Sequence, residues 1–155
     1  MPSESDRPVS IQFVPIEFQS DVYRESIALR HAVLRQPLGL AFSPAQLAAE
    51  HDQLHFGMLG GDDLLACVSV ILLSPTAAKI RQMAVDAALQ GRGIGSDLLC
   101  RVELELKSRG VQCIQLHARE VARRFYERLG YTASGEPFTE VTLPHIKMTK
   151  TMVTC

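Results

Sequence analysis

The stretch Ile80–Leu99, "IRQMAVDAALQGRGIGSDLL", joins a strand-like run to a helix-like run through glycines at 91, 93 and 95. Up to Asp86, Arg81, Met83 and Val85 fall on one side and Ile80, Gln82, Ala84 and Asp86 on the other, which predicts a strand with one unbroken period of two. From Ile94 to about Ser108 the pattern turns helical, with Ile94, Leu98, Leu99, Val102 and Leu106 on one stripe and Gly110 closing the helix. The first amides of a helix have no partner within it, and the helix dipole favours negative charge there. Glycines that let those amides turn inward make a phosphate cradle, and Arg92 adds a charge. An ATP or GTP loop, G-x-x-x-x-G-K-[ST], needs a lysine and a hydroxyl that are missing here. A dinucleotide G-x-G-x-x-G would put its third glycine at Ser96 and an acidic residue near Gly110, where none stands. A loop that merely turns the chain is the remaining reading.

The rest of the composition narrows the classes. The chain has 155 residues, 46% hydrophobic and 21% charged, enough for one domain with a sizeable core. Sixteen basic and seventeen acidic residues nearly cancel, which argues against nucleic acid and against an anionic membrane surface as partners. "MPSESDRPVS" has neither the basic start nor the apolar core of a secretory signal, and no apolar run reaches the length of a spanning helix. A cytoplasmic protein is expected. Cys67, Cys100, Cys113 and Cys155 form no C-x-x-C pair and read as reduced thiols.

Working outward, residues 1–9 read as a flexible tail and 10–155 as a single domain. "IQFVPI" predicts a first strand near an edge or an end, because of Pro15. "SDVYRESIALRHAVLR" predicts a helix capped by Ser20 and ended by Pro37 and Gly39, and Ser43 with Pro44 starts a second. "LHFGML" and "LLACVSVILL" flank Gly60, Gly61, Asp62 and Asp63 as a hairpin. "VQCIQLHA" is a further strand. "REVARRFYERLG" is a helix with Val121, Ala122, Phe125 and Leu129 inward, and one extended region broken at Gly135, Pro137 and Pro144 follows from Tyr131 to Met152. This order describes a mixed α/β domain around one sheet.

Two of these segments resemble one family. "IRQMAVDAALQGRGIGSDLL" is similar to the core motif of the GNAT superfamily of acetyltransferases, Q/R-x-x-G-x-G/A, filled by Gln90, Gly93 and Gly95. "ARRFYERLGY", Ala122–Tyr131, resembles the superfamily's A-x-x-F-Y-x-x-x-G-F/Y, and "GEPFTEVTLPHIKMTK" looks like the last strand of small bacterial members of unassigned substrate. The resemblance implies a GNAT fold, a mixed and mostly antiparallel sheet flanked by helices, with acetyl-CoA as cosubstrate and a primary amine as acceptor. It implies that Met83, Ala84 and Val85 pair with pantetheine. Gln90, Gly91, Arg92, Gly93, Ile94, Gly95 and Ser96 would then hold the diphosphate. Tyr126 is the implied proton donor, and a backbone amide at Val85 the implied oxyanion holder. Dimers are common in this superfamily, which allows a homodimer. The alternative is a non-catalytic acyl-CoA-binding sensor.

The base is open between Glu140 and His145. Five residues apart on one strand, they would face opposite sides unless Pro144 shifts the register. No metal is expected. "HDQLH", His51–His55, departs from H-E-x-x-H in its aspartate, and its second half reads as extended. His31 and His117 read as structural, and Arg30 and Arg35 either line an acceptor site or mark a solvated helix face.

Overall fold

The computed structural model describes residues 10–152; the tail expected at 1–9 and Cys155 lie outside them. In chain order it contains β1 (Ile11–Pro15), α1 (Asp21–Arg30), α2 (Pro44–Ala48), β2 (Leu54–Gly60), β3 (Asp63–Ser74) and β4 (Ala77–Val85). These are followed by α3 (Ile94–Ser108), β5 (Cys113–Arg119), α4 (Arg123–Arg128), β6 (Thr132–Glu140) and β7 (Leu143–Thr151). The strands form one sheet in the order β1-β2-β3-β4-β5-β7-β6, so Pro15 does stand on an edge strand, where its missing donor costs nothing. Every neighbouring pair is antiparallel except β4 and β5. Among the described residues no helix is long and apolar enough to cross a membrane.

Helix α3 lays Leu98, Leu99, Val102 and Leu106, all fully buried, on one face of the sheet with Val68, Val70, Ile80 and Ile114. Helix α1 covers the other face through Tyr23, which meets Ile16, Cys67 and Ala84. Ser20 caps α1 by accepting from the Tyr23 amide, and Ser43 caps α2 in a reciprocal capping box with Gln46. After Arg30 the predicted first helix changes character and widens into a π turn over His31–Arg35.

The unbroken alternation expected of β4 is corrected by a bulge. Cys67 pairs with Ala84 but Ser69 with Arg81, so β4 carries one extra residue, and Gln82 takes a left-handed backbone with φ of 52°. The predicted α4 is also shorter than its pattern. Glu120–Ala122 form a 3-10 turn, whose three residues per turn rotate Val121 out to 93% exposure. The last extended region is two strands, because Val141 and Thr142, with φ of 49° and 64°, make a tight turn between β6 and β7.

Arg30 is no solvated helix residue. Its guanidinium is 1% exposed and pairs with Glu50 at 2.7 and 3.0 Å, while Tyr23 donates to Glu50 at 2.7 Å. Burial alone would raise the Glu50 carboxyl, but the bonds from Arg30 and Tyr23 outweigh it and hold the group below its ordinary range. Gln82 joins the same cluster, accepting from Arg30 Nη1 and donating to Glu50 Oε2 at 3.4 Å. His55 is engaged nearby, Nε2 with the Glu50 carbonyl at 3.1 Å and Nδ1 with Ser69 Oγ at 2.9 Å, while His51 lies exposed on a 3-10 turn. The two histidines of "HDQLH" therefore sit in different environments.

Glu50→Gln should cost about 3 kcal/mol of unfolding free energy, because it leaves Arg30 charged and buried without its counter-ion. The double variant Arg30→Met/Glu50→Leu should recover much of that loss in urea denaturation.

Candidate functional site

The parallel ladder of β4 and β5 ends early. It joins Ala77–Ile80 to Cys113–Leu116, after which His117, Ala118 and Arg119 pair only with β7. The two strands part, and from Arg81 to Val85 the edge of β4 facing β5 is free. Backbone direction alternates along a strand, and the Asp86 amide bonds the Leu65 carbonyl at 2.9 Å on the β3 side. Ala84, two residues back, also turns its amide to β3, whereas Met83 and Val85 present theirs to the gap. The Val85 carbonyl accepts from Gln90 Nε2 at 3.1 Å, which ties the strand to the glycine loop.

That loop follows directly. Asp86 ends β4 by accepting from the Ala88 amide at 2.9 Å, and Gln90, Gly91, Arg92 and Gly93 are exposed. Gly93, with φ of 82° and ψ of 3°, opens α3, and Ile94, Gly95 and Ser96 form its first turn. Gly95 serves packing: a Cβ there would lie 3.0 Å from Met83 Cε and 3.3 Å from Val85 Cγ2. Its bare backbone lets the start of α3 rest on the strand whose edge is free.

Beside the gap lies a cavity of about 580 Å³, bounded by β4, β5, the π turn and the β6–β7 turn. Tyr126 lines it from α4, and burial pushes its phenol up to about 12 despite the nearby Arg119 charge. The hairpin brings Glu140 and His145 together, correcting the expectation that they face opposite sides of one strand. Glu140 Oε2 is 3.8 Å from His145 Nε2, and Oε1 accepts from His117 Nδ1 at 3.0 Å. Burial alone would raise Glu140, yet the His117 bond and the charges of both histidines and Lys79 hold it below its ordinary range. His145 Nδ1 faces the Leu143 carbonyl at 2.9 Å. A carbonyl only accepts, so Nδ1 carries the hydrogen and the neutral ring keeps its lone pair on Nε2.

Residues 37–152 match the family model described as an acetyltransferase (GNAT) domain. The chain belongs to the GNAT acetyltransferase family. The Bacillus subtilis N-acetyltransferase YitI is 25% identical over 146 residues, 90% of this chain and 98% of its own. The Bacillus subtilis protein YyaT is 32% identical over 73 residues, 47% of this chain and 49% of its own, so the match spans about half of that relative. Among solved structures, an aminoglycoside 6'-N-acetyltransferase complexed with coenzyme A superposes with a TM-score of 0.77 at 18% identity, covering 93% of this chain and 98% of that one. The mixed sheet, with its single parallel pair, is thus the GNAT architecture.

Within this GNAT chain, the residues expected for the cosubstrate lie along one path from β4 into α3, and Tyr126, Glu140 and His145 line the cavity beside it. His117 lines it too, although it reads as structural in sequence. It alternates with buried Leu116 and Ala118, and that alternation places it on the face away from α3. Cys67 does not line the cavity: it is buried in the core, and its thiol is raised to about 12 by that burial.

Gly95→Val should lower unfolding free energy by about 1–3 kcal/mol, because its side chain meets Met83 and Val85. Gly91→Ala, whose Cβ meets nothing within 4 Å, should cost only the backbone strain of about 1 kcal/mol. Urea denaturation of both variants checks the contrast.

Proposed function

We propose that this chain transfers the acetyl group of acetyl-CoA to a primary amine by direct attack. The observation that carries the reading is the continuity of a free β4 edge, a glycine loop at a helix start and the cavity holding Tyr126. Pantetheine carries amides that suit the unpaired Met83 and Val85 groups, and Ala84 keeps the strand in register between them. A diphosphate suits the amides of Gly91 to Ser96, with Gln90 bracing the loop and Arg92 adding charge. The coenzyme A held by the aminoglycoside acetyltransferase of the same fold supports this assignment.

In the proposed reaction the amine nitrogen attacks the thioester carbon, a C–N bond forms and the carbonyl oxygen becomes an oxyanion. The Val85 amide is one donor facing the gap from which that oxygen can be held. Collapse breaks the C–S bond. Tyr126 gives its phenolic proton to the departing thiolate, and its high pKa keeps that proton in place through the mildly alkaline range. The proton lost by the amine goes to His145 Nε2, where the Glu140 carboxylate stabilises the resulting imidazolium.

Tyr126→Phe should lower kcat by on the order of 10²-fold while leaving the acetyl-CoA Kd unchanged, read by thiol release and calorimetry. Full activity in this variant would return Tyr126 to packing. Acetyl-CoA binding without thiol release from any amine would favour the sensor reading.

A further inference from the structure

We infer that the acceptor is a primary amine that also carries an acid group, a carboxylate or a phosphate, rather than a polyamine or another polycation. The inference rests on the acetyl-transfer reading and names the substrate class of the same cavity. Four half-buried cations line that cavity: Arg35 from the π turn, Lys79 and Arg81 from β4, and Arg119 from β5. Glu140 is the one carboxylate among its described lining residues, and it is already engaged by His117 and His145.

The Glu140 charge acts on Lys79 and Arg35, but one carboxylate does not balance four cations. Among the described residues none of the four makes a salt bridge. Arg119 donates to the Leu34 carbonyl at 3.0 Å, Arg35 donates to the same oxygen at 3.3 Å and stacks over Phe42 at 4.5 Å. Burial and the Arg81 charge hold the Lys79 ammonium below its ordinary range, and burial with the charges of Arg119, Arg30 and Arg81 does the same to Arg35. Half-buried like charges repel one another, and folding alone gives no reason to collect them. A bound anion offsets that repulsion.

Position separates this anion from the phosphates of acetyl-CoA. Lys79 and Arg81 stand toward the start of β4, whereas the glycine loop follows its end. Six residues of extended chain between Lys79 and Val85 span about 20 Å. Lys79 and Arg81 alternate with buried Ala78 and Ile80, so they face away from α3, on the side of the sheet covered by α1 and the π turn. Positive charge in the cavity is thus in excess around Glu140 and His145. Glu140 and His145 receive the ammonium end of the acceptor, the cations receive its acid end, and their field favours the neutral amine that attacks.

The test uses matched pairs in a thiol-release assay: 4-aminobutyrate against butylamine, phosphoethanolamine against ethanolamine, and spermidine as the polycation. At least one acid-bearing member should exceed its bare partner in kcat/KM by about tenfold or more, with spermidine poorest. Arg81→Gln and Arg35→Gln should erase that preference through KM while the acetyl-CoA Kd holds. Equal or better turnover of bare amines or spermidine would overturn the inference and leave acetyl transfer standing. A preference that persists in both variants would also overturn it. Absence of both acetyl-CoA binding and thiol release would instead bring down the acetyl-transfer reading on which it rests.

Discussion

A buried charge pair holds the strand that opens the sheet. Arg30 and Glu50 come from separate segments that flank the π turn and α2, and both reach Gln82, the bulged residue of β4. A non-glycine residue in left-handed backbone costs about 1–3 kcal/mol and persists where its surroundings over-determine it. The Gln82 amide is fixed by an acceptor and a donor that are themselves fixed, so the bulge has one position. Two residues earlier the ladder to β5 ends, and the proposed acetyl-CoA path lies in the opening that follows.

The opening has two ends with different chemistry. Toward α3 it offers neutral backbone amides and a helix start, suited to a long amide-bearing chain ending in phosphates. Toward the π turn and the β6–β7 turn it offers ionisable side chains, with the Glu140 carboxylate between two imidazoles and four cations around them. The Val141–Thr142 turn belongs to this second end. Two β-branched residues hold positive φ there, and that tight reversal is what brings Glu140 to His145.

The first end was legible in sequence because it is local. "MAVDAALQGRGIGS" carries its strand, its Asp86 cap, its glycines and its helix start within one continuous stretch, and the structure keeps them adjacent. The second end is assembled from residues more than a hundred positions apart, Arg35 to His145, and no short window contains it. Periodicity misplaced Val121 because a 3-10 turn replaced an α turn, and it joined β6 to β7 because neither Val141 nor Thr142 is a turn-forming type. It left Arg30 between lining an acceptor site and a solvated helix face, and Arg30 is instead buried, because the partner that permits burial, Glu50, lies in another element.

The central claim is that the free β4 edge and the glycine loop together hold acetyl-CoA, and hydrogen exchange of the protein with and without acetyl-CoA reads it most directly. The amides of Met83, Val85 and Ile94 through Ser96 should exchange more slowly when acetyl-CoA is bound, while the Ala84 amide, already bonded toward β3, should change little. Binding of acetyl-CoA with unchanged exchange at Met83 and Val85 would contradict the account.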